Sequence, residues 1–147
     1  MTQINVIAVC KANYCRSPVA EYFLREFLDA SFNVRSAGLI HFSKTNMDKR
    51  SQNFLKKNGF EEISHIPKAL TKQIVNQSTL IFAMDRILLE KIKSKFPEAH
   101  NKVQLMNNTS IDDPINLKSV EDYEKIMSKI KINSKITAEK LTKLISI

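Results

Sequence analysis

Ile4-Asn5-Val6-Ile7-Ala8-Val9-Cys10-Lys11-Ala12-Asn13-Tyr14-Cys15-Arg16-Ser17-Pro18 runs from an apolar stretch, through a polar loop, into the start of a helix. The apolar stretch predicts a strand over 4–9. Ala20, Phe23, Leu24, Phe27 and Leu28 then recur at helical spacing, and Pro18 sits in the first turn, where a missing N–H costs nothing. A strand, a tight loop and a helix start bring backbone N–H groups and the positive end of a helix to one point, which suits an anion. Cys10 and Arg16 flank that point with five residues between them. The chain can therefore curl around one phosphate-sized group, with a thiol on one side and a guanidinium on the other.

Three further stretches read as strands: 32–37, 79–84 and 102–106. Those at 4–9 and 79–84 are nearly continuous apolar runs, as expected of parallel strands covered on both faces. Helical patterns lie between the strands. Asn46 or Asp48 can open a second helix that stops at Gly59. Asp85 can cap a third that points Ile92 and Phe96 inward and ends at Pro97. Val120, Tyr123, Met127, Ile130, Leu141 and Ile145 share one face of a long last helix, interrupted by Ser134 and Ala138. Alternation of strand and helix predicts an α/β three-layer sandwich, a four-stranded parallel sheet with helices on both faces and right-handed crossovers. With 147 residues and no linker or repeat, 1–147 reads as a single domain. Sites in such sheets form at the carboxyl ends of strands, where the Cys10 loop falls.

The formal charge is +8, but Lys and Arg are mixed with acidic residues along the chain. The densest stretch, 118–143, has seven Lys against Glu121, Asp122, Glu124 and Glu139, the pattern of a solvated helix face. Charge alone therefore makes no case for a nucleic-acid partner. No apolar run is long enough to span a bilayer, and no secretory leader pattern opens the chain. Only Cys10 and Cys15 occur, too close together to staple a fold and wrongly spaced for a zinc knuckle. The expected setting is a reducing cytoplasm, without metal, cofactor, membrane or nucleic acid.

Breaking a phosphate monoester through cysteine makes three demands. The nucleophile must be a thiolate, which loop amides and a helix N-terminus favour. The phosphoryl oxygens must be held as charge shifts, a task for bidentate Arg16 and the N–H groups of Lys11, Ala12, Asn13, Tyr14, Cys15 and Arg16. The leaving oxygen needs a proton from an acid that later activates water. Ile111-Asp112-Asp113-Pro114, between the fourth strand and the last helix, offers that acid. Proline biases Asp113 away from helix, and Asp112 is the alternative.

Val9-Cys10-x4-Cys15-Arg16-Ser17-Pro18, Ser36-Ala37-Gly38, Ala83-Met84-Asp85 and Asp113-Pro114, in that order over essentially the whole chain, resemble the low-molecular-weight protein tyrosine phosphatases. The resemblance implies that Cys10 is the nucleophile, Arg16 the phosphate clamp, and Asp113 general acid and then base. It implies that Asn13, Ser17, Ser36 and His65 support the loop, with Ser17 able to donate to Cys10. It also implies that Cys15 can pair reversibly with Cys10 under oxidation. Phe42 and Tyr14 fall at the substrate cleft. So does Ile115, where many members carry an aromatic. The implied partner is a phosphotyrosine-bearing protein, a bacterial tyrosine kinase among the options, and the implied state a monomer or weak dimer.

Two departures bear on chemistry. Ala12 replaces a usual glycine; if the loop needs positive φ there, the strain is about 1 kcal/mol, and if glycine serves only for clearance, the cost is smaller. Tyr14 replaces a small residue and either narrows the entrance or stacks on a substrate ring. Plainer roles also exist for most of these residues: a packed Cys10 or Cys15, a turn at Asp113, a core His65 or Phe42, and a helix cap at Asp85. Two other functions of the same fold are an arsenate reductase, which relays oxidation through further cysteines that this chain lacks, and a non-catalytic phosphate-binding module. Phosphoarginine hydrolysis goes with a small threonine at the Tyr14 position.

Overall fold

A computed structural model describes residues 3–145. Strand β1 (Ile4–Cys10) is the centre of the fold: Val6 through Cys10 are all buried, on both faces of the sheet. Val6, Ile7 and Val9 each contribute about 1.5–3 kcal/mol by leaving water. Helix α1 (Ser17–Phe27) follows the loop, then β2 (Phe32–Gly38), α2 (Lys49–Lys57), α3 (Lys72–Gln77), β3 (Leu80–Ala83), α4 (Arg86–Lys95), β4 (Val103–Leu105) and α5 (Val120–Ile145). The sheet is parallel with order β2-β1-β3-β4. The β1→β2 and β3→β4 connections step in opposite directions, so right-handed crossovers put α1 and α4 on opposite faces. Helix α5 returns to pack beside α1 and completes that layer. The expected three-layer α/β sandwich is the observed one.

Most boundaries fall where the residues predict them. Asp48 rather than Asn46 caps α2, accepting from the Arg50 N–H at 2.8 Å. Asn46 lies outside the helix at φ 101°, and Gly59 takes φ 94° just past its end. Asp85 caps α4 through the Leu88 N–H at 2.8 Å. Strand β3 is shorter than the 79–84 run. Met84 has left the ladder, yet its N–H still reaches the Val9 carbonyl and its carbonyl takes the Ile111 N–H at 2.7 Å. Two expectations fail on α5: Val120 and Ile145 are exposed, while the polar break is no break, because Ser134 and Ala138 are buried. Helix α3, capped by Thr71, has only two apolar residues in six and leaves too weak a periodicity to predict.

What the fold does for the loop is visible at Gly38. Its N–H donates to the Lys68 carbonyl and its carbonyl accepts from Leu70, both at 2.7 Å, so the segment 68–70 lies along the end of β2. The next two N–H groups, of Leu39 and Ile40, donate to the carbonyls of Cys10 and Lys11 at 2.9 Å. The loop backbone therefore rests on Gly38: a Cβ there would stand 2.7 Å from both the Ala12 carbonyl carbon and the Asn13 nitrogen. Gly38→Ala must displace backbone, and the expected cost is about 1–3 kcal/mol. Urea unfolding and inhibition by inorganic phosphate check this. A lower midpoint with weaker inhibition is expected, and unchanged values would refute the close seating.

Candidate active site

Residues 11–16 form an irregular loop between the end of β1 and the N-terminus of α1. Among the described residues, no backbone acceptor takes a hydrogen bond from the N–H groups of 11–16. Buried backbone donors are rarely left without partners, so a run of free amides at a helix start is a cradle for an anion. Ala12 does not take positive φ; the left-handed residue is Asn13, at φ 55°. The usual glycine at position 12 is therefore not needed here for conformation, and the strain anticipated for Ala12 is absent.

Asn13 is fully buried and is the hub of the support. Its amide nitrogen donates to Ser17 Oγ at 2.8 Å and to Ser36 Oγ at 2.9 Å, and its amide oxygen accepts the Lys68 N–H at 3.0 Å. Its carbonyl accepts from His65 Nε2 at 2.8 Å, which fixes the ring proton on that nitrogen. Since Asn13 donates to both hydroxyl oxygens, each serine proton points elsewhere. Ser36 donates to the buried Glu21 carboxylate, which Arg25 also holds at 2.6 Å. Ser17 Oγ lies 3.0 Å from Cys10 Sγ, placed to donate to a thiolate. Sequence reasoning named Asn13, Ser17, Ser36 and His65 but missed Glu21, whose only signal was an acidic residue on an otherwise apolar helix face.

Arg16 is 2% exposed, an unusual position for a guanidinium. Nη1 donates to Asp85 Oδ2 and to the Ile111 carbonyl, each at 2.7 Å, while Nη2 lies 3.8 Å from Asp113 Oδ2. Asp85 thus does two jobs: one carboxylate oxygen caps α4 and the other compensates the buried charge. Asp113, not Asp112, stands beside Arg16. Its Oδ1 accepts the Ile115 N–H at 3.1 Å, an Asx turn that aims the carboxylate.

The two cysteines differ. Cys15 Sγ lies 3.8 Å from Asp48 Oδ2, and burial pushes its thiol up to about 12, so it stays protonated at neutral pH. Tyr14 and Phe42 meet edge to face, ring centres 4.9 Å apart, both half-buried beside the loop. Burial raises the Tyr14 phenol, which remains neutral. Ile115 is 40% exposed on the Asp113 loop. Among the described residues, no group of three or more His, Cys, Asp and Glu is arranged to hold a metal ion, and no helix is long and apolar enough to cross a membrane.

The family model for low molecular weight phosphotyrosine protein phosphatase matches residues 5–146. The chain belongs to this family. It is 27% identical over 143 residues to the Escherichia coli low molecular weight protein-tyrosine-phosphatase Etp, covering 95% of each chain. Among solved structures it resembles the tyrosine phosphatase Wzb of Escherichia coli K30 in complex with sulphate, at 30% identity and TM-score 0.86, covering 96% of this chain and 99% of that one. It also resembles the arginine phosphatase YwlE of Geobacillus stearothermophilus, at 26% identity and TM-score 0.86, covering 95% and 94%. The phosphatase fold is therefore shared along nearly the whole length.

His65 gives a pH prediction. Burial lowers its value below the ordinary 6.5, against the opposing pull of the Asn13 carbonyl. The unfolded chain then takes up the proton first. The stability His65 contributes is complete above about pH 6.5 and falls as pH drops toward the lower folded value. Urea midpoints from pH 7.5 to 5 are expected to fall less in His65→Gln than in the wild type. An equal or steeper fall in the variant would contradict this.

Proposed function

We propose that the chain, as one phosphatase domain over 1–147, hydrolyses phosphotyrosine monoesters through a phosphocysteine intermediate. The observation that carries the reading is the convergence of Cys10, the free amides of 11–16, buried Arg16 and Asp113 at the carboxyl end of β1. In the first step Cys10 Sγ attacks phosphorus, and an S–P bond forms as the ester P–O bond breaks. Arg16 and the amides hold the equatorial oxygens, and the Asp113 carboxylic acid gives its proton to the leaving phenoxide. In the second step the Asp113 carboxylate takes a proton from water. The water oxygen bonds to phosphorus, the S–P bond breaks, and phosphate leaves with Cys10 again a thiolate steadied by Ser17.

Tyr14 and Phe42 support an aryl substrate. Their edge-to-face pair gives an aromatic wall, which suits a phosphotyrosine ring better than a phosphoguanidinium. Protein substrates would present that ring, a bacterial tyrosine kinase among them. A reducing cytoplasm suits chemistry that needs Cys10 as a free thiolate, and both cysteines are free thiols here. An arsenate reductase relay has no third cysteine to use. The binding-module reading rested on Ala12 and on the missing aromatic at Ile115, and it loses the first because Ala12 does not take positive φ.

The test is hydrolysis of 4-nitrophenyl phosphate and of matched phosphotyrosine and phosphoarginine peptides. Wild type is expected to hydrolyse the first two and prefer phosphotyrosine. Cys10→Ser is expected to abolish turnover, and Arg16→Lys to cost about 100-fold or more in kcat/KM. Turnover by Cys10→Ser at the wild-type rate would overturn the mechanism, and a phosphoarginine preference would overturn the substrate class.

A further inference from the structure

Arg50 lies in the first turn of α2. In the structure it is a clasp between the two halves of the site. Nε and Nη2 grip Asp48 at 3.0 and 2.9 Å. Nη1 donates to the Leu117 carbonyl at 2.8 Å and Nη2 to the Ile115 carbonyl at 3.2 Å. The guanidinium carbon lies 4.1 Å from the centre of the Tyr123 ring. Burial alone would raise the Asp48 carboxyl, but its bonds to Arg50 outweigh this and hold it below its usual value.

Each end of the clasp leads to a catalytic group. Asp48 donates its backbone N–H to the Tyr14 carbonyl at 2.9 Å, inside the phosphate loop. On the next turn Ser51 Oγ donates to the Cys15 carbonyl at 2.8 Å and lies 2.6 Å from the Tyr123 hydroxyl, which therefore donates to it. At the other end, Ile115, whose carbonyl Arg50 holds, gives its own N–H to Asp113 Oδ1. The path is continuous: phosphate loop, Asp48, Arg50, Ile115, Asp113. A guanidinium suits the post because its rigid fork reaches a carboxylate and two carbonyls at once, whereas an ammonium is a single point charge.

We infer that Arg50 is a positioning residue for the general acid, setting the distance between the Asp113 carboxyl and the ester oxygen over the phosphate loop. This rests on the phosphatase reading above. It differs from a general structural role in one measurable respect. Misplacing the acid slows an ester in proportion to its need for a proton on the leaving oxygen. 4-Nitrophenoxide leaves with little help, and phenoxide needs it.

The experiment compares kcat/KM for 4-nitrophenyl phosphate and phenyl phosphate in wild type, Asp113→Asn, Arg50→Lys, Arg50→Ala and the double variant Arg50→Ala/Asp113→Asn. Inhibition by inorganic phosphate reports the loop itself. Arg50→Ala is expected to lose about 10-fold or more on phenyl phosphate but only about 3-fold on the nitrophenyl ester, within the reach of general acid catalysis. Phosphate inhibition should stay within about 3-fold of wild type, and Arg50→Lys should fall between. In the double variant the Arg50 loss on phenyl phosphate should vanish, since there is no acid left to position. Equal losses on both esters, or an Arg50 loss that persists without Asp113, would overturn the inference and leave the phosphatase reading standing. Should Arg50→Ala not fold, Arg50→Lys decides alone, and equal losses on both esters would again overturn it. Asp113→Asn acting like wild type on phenyl phosphate would overturn the acid assignment and this inference together.

Discussion

The side chain of Asn13 holds the loop over 11–16 in shape. It occupies a left-handed conformation that most side chains avoid, and its amide saturates the interior of the loop: two donations, to Ser17 and Ser36, and one acceptance, from Lys68. Those bonds turn the loop outward, so the backbone N–H groups of 11–16 face away from the protein's own acceptors. Because Asn13 occupies the serine oxygens as acceptors, the Ser17 proton is left for Cys10 Sγ at 3.0 Å or the Ala37 carbonyl at 3.4 Å. A buried polar network of this kind is stable only when every member is satisfied. Glu21 completes it by accepting from Ser36 and pairing with Arg25.

Around that hub, charge is balanced locally. A guanidinium as buried as Arg16 is tolerated because Asp85 and the Ile111 carbonyl meet it at 2.7 Å; removing a partner from such a pair costs about 3–5 kcal/mol. One nitrogen is thereby fixed to the protein, while the other lies toward Asp113. The neighbouring thiols have different surroundings. Cys10 has a hydroxyl donor and the end of α1, whereas Cys15 faces a carboxylate and burial, which keep it a thiol.

Local patterns carried most of the fold and the centre of the site. Apolar runs marked the strands, Asp48 and Asp85 marked helix starts, and Cys10, Arg16 and Ser17 fell at a spacing that only a loop between strand and helix explains. What stayed hidden depends on contacts across the chain. Gly38 is required because another backbone rests against it, which spacing does not reveal. The second role of Asp85 and the far end of the Arg50 clasp arise from partners 69 and 65 to 67 positions away. Ala12 could not be decided from sequence: its strain depended on a φ value that Asn13 takes instead.

In the proposed reaction, phosphorus passes through sulfur at residue 10. Asp113→Asn, incubated with 4-nitrophenyl phosphate and quenched in acid, isolates that step, because this ester leaves without much proton donation while water attack is slowed. Intact and peptide mass measurement should find one added phosphoryl group, on the peptide bearing Cys10, and none when Cys10→Ser is combined with Asp113→Asn. Burst release of nitrophenol with no phosphorylated Cys10, or with the group on another residue, would contradict the proposed chemistry.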